Sequence, residues 1–161
     1  MDTDVLRRQA AAAFEALGAP DHLTLDSLAE RIEQHRGRKI VVRAVDHLGA
    51  DKVSGLWLSL PAAELVLHAK TGSELHREQI ILHELAHMVL QHDLLVGEDR
   101  HVSSLLPDLD RSMVSRVLAR CRRQSEPEIV AESLADLFAG AIARGRRARR
   151  DEPLNFRGVF G

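Results

Sequence analysis

His83-Glu84-Leu85-Ala86-His87 is the segment of this chain with the clearest chemical reading. Two histidines four apart on a helix sit one above the other on the same face. Their imidazole nitrogens can then hold one divalent ion from a rigid support. Glu84 stands one step round the helix, off the ligand face but able to reach a water in the ion's inner sphere as a general base. Two histidines leave a tetrahedral zinc incomplete, because a catalytic site uses three protein ligands and keeps one position open. A later segment, Glu132-Ser133-Leu134-Ala135-Asp136, places two carboxylates four apart. Glu132 is the expected third ligand. Asp136 is the expected acceptor for a ligand histidine's other ring N–H, outside the inner sphere. Glu128, one turn earlier on the same face, is the alternative ligand, although it also reads as the capping partner of Ser125. The expected ion is Zn2+, and this donor set leaves Mn2+ and Fe2+ open.

These residues need a helix to carry them, and the surrounding pattern supplies one. Ser73 reads as an N-cap, and Leu75, Ile80, Ile81, Leu82, Leu85, Met88 and Val89 give a wide apolar face through about Gln91. Upstream, apolar residues from Val5 to Leu17 recur at helical spacing until Gly18 and Pro20 stop them, giving an N-terminal helix within residues 1–20. A second helix starts after Thr24 and ends at Gly37. Ile40 to Ala44, Val53 to Ser59 and Glu64 to His68 read as strands. Asp46 to Lys52 is a polar loop, and Pro61-Ala62-Ala63 is a tight turn. Glu64 to His68 is expected at the sheet edge beside the cleft, where an extended peptide could pair with it. Beyond a loop at Gly97 to Ser104, Leu109 to Cys121 reads as a helix. A last helix then runs to about Arg144, with a polar tail over residues 145–161. Glu132 and Asp136 lie among apolar positions of that helix (Ile129, Val130, Leu134, Leu137, Phe138, Ile142) and are expected to be partly buried. The order of elements predicts one α+β domain, residues 1–161, with a small three-stranded sheet packed on helices.

Composition narrows the function classes. The chain has 161 residues, 45% of them hydrophobic and 29% charged, the profile of a folded globule. One cysteine, Cys121, excludes a disulfide scaffold and a cysteine-rich zinc finger. A net charge of −2 and 3% aromatic residues argue against direct nucleic-acid binding. No apolar stretch is long enough to span a membrane, and the first residues lack a signal peptide's apolar core, so a cytoplasmic location is expected. Tyrosine is absent, so a donor for a developing oxyanion must come from elsewhere. His68 and His76 are the candidates, with His92 and His101 further off. Arg144, Arg146, Arg147, Arg149 and Arg150 form a basic run that reads as a solvated helix end.

With these motifs in place, the chain resembles the ImmA/IrrE family of zincin-like metallopeptidases from the second helix to the last. Three features carry the resemblance. The strand Glu64 to His68 precedes the helix. The run Ile80-Ile81-Leu82-His83-Glu84-Leu85-Ala86-His87 is similar to the family's active-site helix. Glu132-Ser133-Leu134-Ala135-Asp136-Leu137-Phe138-Ala139 is similar to its E-x-E-A-(N/E)-x-(F/L)-A segment, with Leu134 in place of the second acidic residue and Asp136 where Asn or Glu is usual. The resemblance implies a minimal zincin-like fold and a metallo-endopeptidase of narrow specificity. Its metal ligands would be His83, His87 and Glu132, with Glu84 catalytic. It further implies a protein partner, a co-encoded helix-turn-helix repressor or an antitoxin, that is cleaved or relieved of repression under stress. Two other readings stand beside this one: a regulatory interaction module that sequesters a transcription factor without cutting it, and the toxin of a toxin–antitoxin-like pair.

Overall fold

The computed structural model describes residues 2–46, 54–59, 62–91 and 126–151. Among these lie four helices and three strands, in the order α1 (Thr3–Ala16), α2 (Leu25–Arg36), β1 (Lys39–Val45), β2 (Gly55–Ser59), β3 (Ala63–Ala69), α3 (Glu74–Val89) and α4 (Glu126–Asp151). The class is α+β, as the order of apolar patterns predicts. The local signals act where the sequence places them. Thr24 caps α2 by accepting from Ser27 N–H, and Ser27 returns the bond to the Thr24 backbone. Gly37 ends α2 in the left-handed conformation at φ 69°. The Ser73 side chain accepts from His76 N–H at 3.2 Å and starts α3.

Three expectations are corrected. First, the sheet order is β1-β3-β2, with β1 parallel and β2 antiparallel to β3, so the Glu64 to His68 strand is central. Both its edges are already hydrogen-bonded, and an added peptide strand has no place on it. Its residues Glu64 to His68 are all buried, and a strand covered on both faces belongs inside a sheet. Second, α4 runs through the arginine run to Asp151, where a polar tail from residue 145 was expected. Arginine is a good helix former, and Gly145 does not break the helix because it is a packing site. A side chain on Gly145 would lie 2.7 Å from the Leu23 carbonyl oxygen. Third, Glu132 and Asp136 are exposed, as are Ile129, Leu137 and Leu75, so the inward faces of α3 and α4 are narrower than their apolar content suggests. The predicted helix Leu109 to Cys121, the loop before it, His92, His101, Cys121 and the Ser125 cap lie outside the described residues, as does most of the 46–52 loop.

The main core is built by all four helices against one face of the sheet. Leu6, Ala10, Leu28, Ile32, Trp57, Val66, Ile81, Leu85, Leu134, Phe138 and Ile142 are among its buried members. The helical spacing of Leu134, Phe138, Ala141 and Ile142 turns one stripe of α4 towards α1, where Phe138 meets Phe14 with ring centroids 5.9 Å apart. Burial of these side chains away from water is the main favourable term in the fold.

One polar cluster crosses this core, and it was not anticipated from sequence. Glu64 is fully buried. Its Oε2 accepts from Trp57 Nε1 at 2.6 Å. Its Oε1 accepts from Arg36 Nε at 3.0 Å and from Ser59 Oγ at 3.2 Å, with Arg38 Nη1 at 3.4 Å. The Arg36 guanidinium lies 5.0 Å from the Trp57 ring centroid and donates to the Met88 carbonyl at 3.0 Å. It thus joins the Gln91 N–H, at 3.1 Å, on a carbonyl of the last turn of α3. The cluster ties the end of α2, strand β2 and the last turn of α3 to one carboxylate. Removing that carboxylate strands a mostly buried cation. Glu64→Ala is therefore expected to lower the free energy of unfolding by about 3 kcal/mol, read from urea denaturation. Lys39→Ala, which breaks a surface pair with Glu33, should change it by less than about 1 kcal/mol.

Candidate metal centre

His83 and His87 stand one turn apart on α3 and point the same way, with ring centroids 4.8 Å apart and planes at 82°. Facing them is the first turn of α4, which carries Glu128. The three side chains converge closely. His83 Nε2 lies 3.2 Å from Glu128 Oε2, His87 Nε2 lies 3.2 Å from Glu128 Oε1, and the two Nε2 atoms are 3.1 Å apart. His83 and Glu128 are 33% and 35% exposed and His87 is 12% exposed, so the group opens to solvent on one side.

This donor set fits a metal ion on chemical grounds. Each Nε2 carries at most one proton, and three short contacts need three. If both protons point to the carboxylate, the 3.1 Å approach of the two nitrogens has none to bridge it. A cation at the centre would use the lone pairs and resolve the shortage. The spacing also suits zinc. Ligands about 2.0–2.1 Å from a tetrahedral ion lie about 3.3–3.4 Å from one another.

Electrostatics reflect the same crowding. Hydrogen bonds from His83 and then His87 hold the Glu128 carboxyl down at about 2. The hydrogen bond to Glu128 raises the His83 pKa against the opposing effect of burial, and the charges of Glu84, Glu128 and Glu132 add to the rise. Glu84 is buried, and burial pushes its pKa up, opposed by the two histidines and by a backbone hydrogen bond from Trp57.

The direction of the Trp57 backbone follows from the strand register. Ala69 N–H donates to Ser54 C=O at 2.8 Å, which makes 54 and 69 a bonded pair on the β2–β3 ladder. Bonded and non-bonded pairs alternate in an antiparallel ladder. Leu56 and Leu58 therefore bond to β3, while Gly55, Trp57 and Ser59 turn their backbone groups to the side of β2 away from β3.

The sequence-predicted residues divide accordingly. His83 and His87 meet, with Glu84 beside them. The carboxylate within reach is Glu128, the alternative, and not Glu132. Four residues of helix are about 6 Å of rise, and Glu132 sits that far along α4, exposed, acting on His83 only through its charge. Asp136 is a further turn away, exposed, and bonds to neither ring among the described residues. His76 is exposed in the first turn of α3. His68 is buried in β3, with Nδ1 3.1 Å from the Ala69 carbonyl oxygen. Neither belongs to the converging group. Among the described residues no helix is long and apolar enough to cross a membrane.

Compared with protein-family models, with curated proteins and with solved structures, the chain matches none.

Two predictions follow the geometry. Titration with Zn2+ should give one site per chain. Glu128→Ala should weaken it at least about 100-fold, whereas Glu132→Ala should cost less than about threefold, as an exposed charge one turn away is screened. Because the raised pKa of His83 makes protons compete for its lone pair, affinity should fall as pH drops from about 8 to about 6. The fall should be up to about tenfold per pH unit for each proton displaced, measured by competition with a chromophoric chelator.

Proposed function

We propose that this chain is a zinc-dependent endopeptidase of narrow specificity with a minimal zincin-like fold, related to the ImmA/IrrE metallopeptidases. The observation that carries the reading is the convergence of His83, His87 and Glu128 beside a buried Glu84. The family resemblance supports it further when its segment is placed one turn earlier. Glu128-Ile129-Val130-Ala131-Glu132-Ser133-Leu134-Ala135 then fits E-x-E-A-(N/E)-x-(F/L)-A with Glu132 at the Asn/Glu position and a single departure, Val130 for the second acidic residue.

His83, His87 and Glu128 would hold the ion, and Zn2+ would supply Lewis acidity for a substrate carbonyl and a lower pKa for water. The remaining work falls to the chain. Glu84 is set off the ligand face, with a pKa raised by burial, and takes the proton of the attacking water. It then returns that proton to the departing amine nitrogen, so the cleaved bond ends as a carboxylate and an amine. The partly exposed side of the group admits a polypeptide. The partner proposed is a helix-turn-helix regulator encoded beside this chain.

The test is incubation of the Zn2+-loaded protein with that purified regulator, followed by mass spectrometry of the products. Wild-type protein should yield two fragments. Glu84→Gln should bind Zn2+ as the wild type does and cut at least about 1,000-fold more slowly, since it cannot accept the proton. Cleavage by Glu84→Gln at the wild-type rate, or by wild-type protein stripped of metal, would remove the proposal's basis.

A further inference from the structure

We propose that Gly55 is a positioning residue for Glu84, keeping its carboxylate aimed at the metal centre because it has no side chain; this rests on the endopeptidase reading. Gly55 opens β2, the edge strand beside α3. A Cβ built on it would lie 2.9 Å from Glu84 Oε1, 3.4 Å from Glu84 Cγ and 2.6 Å from Ile80 Cγ2. Real Cβ atoms do not come within 3.0 Å of a heavy atom elsewhere in the chain, so any other residue here must turn aside the Glu84 carboxylate, the Ile80 side chain or both. Ile80 is one turn before Glu84 on the same helix face. The contact therefore bears on the one stretch of α3 that carries the general base.

Gly55 and Trp57 lie two apart on β2, so their side-chain positions share the face of the strand that α3 covers. Gly55 supplies the space in which the Glu84 carboxylate lies. In the ladder Gly55 stands opposite His68, which is buried. Glycine in a strand weakens the strand and often marks a close approach of another group. Here the group approached is Glu84, and its position relative to His83 and His87 depends on the missing Cβ.

The test uses acetohydroxamic acid, a small chelator of zinc whose hydroxyl proton is taken up by a well-placed carboxylate beside the ion. Its affinity for the Zn2+-loaded protein reads the position of Glu84 without any substrate. Gly55→Ala should bind one Zn2+ as the wild type does, yet lose at least about tenfold in hydroxamate affinity, as Glu84→Gln should. Because the new methyl also meets Ile80, the pair Gly55→Ala with Ile80→Ala is made as well. It relieves that clash and should show the same loss. A thermal cycle gives a second readout. Gly55→Ala should lower the melting temperature less in a Glu84→Ala background than in the wild type, because the carboxylate it displaces is gone.

Wild-type hydroxamate affinity in both Gly55→Ala proteins, with strictly additive melting shifts, would overturn the positioning role and leave the metal centre standing. A wild-type protein that binds neither Zn2+ nor hydroxamate would instead bring down the endopeptidase reading, and this inference with it.

Discussion

Two imidazole nitrogens and a carboxylate held within about 3 Å of one another impose the constraint on which the rest of this structure depends. In water such groups would separate, since each would find better hydrogen bonds alone. They stay together because α3 fixes His83 and His87 one turn apart and because α4 begins where its first turn must face them. The helices, in turn, are held by apolar contacts far from the group: Leu85 and Ile81 on one side, Leu134 and Phe138 on the other. A small core can thus oppose the mutual crowding of three donor atoms, and an ion at their centre would turn that crowding into coordination.

The second device is the carboxylate of Glu64. It has no part in the chemistry proposed, yet it governs where the chemistry sits. Through Trp57, Arg36 and Ser59 it joins β2 to the end of α2, and through Arg36 it reaches the last turn of α3. Strand β2 then lies beside Glu84, with a glycine where a side chain would collide. A buried charge of this kind is expensive unless every lone pair is used. Here four donors surround one carboxylate, and no buried side-chain polar atom among the described residues lacks a partner.

Legibility in the sequence follows the range of the interaction. Caps and helical periodicity act over three or four residues, so Thr24, Gly37 and Ser73 mark helix ends that the structure reproduces. The pairing of His83 with His87 is also local, being a property of one helix. The choice between Glu128 and Glu132 is not. Both occupy the same face of α4, and only the point at which α4 meets α3 selects between them. Exposure misled for a related reason. An apolar residue on a helix signals burial only if another element covers it, and Ile129, Leu137 and Leu75 are exposed.

By itself, the sequence determined the helices that carry the candidate site, the α+β class, and a histidine pair with a glutamate beside it. These rest on hydrogen bonds and side-chain spacings within single segments. Tertiary packing decided that β3 is central, that Glu128 is the facing carboxylate, that Glu64 collects Arg36 and Trp57, and that Gly55 lies against Glu84. Each of these joins residues from different elements. Their meeting is fixed by how whole helices and strands exclude water from one another, a quantity no local pattern contains.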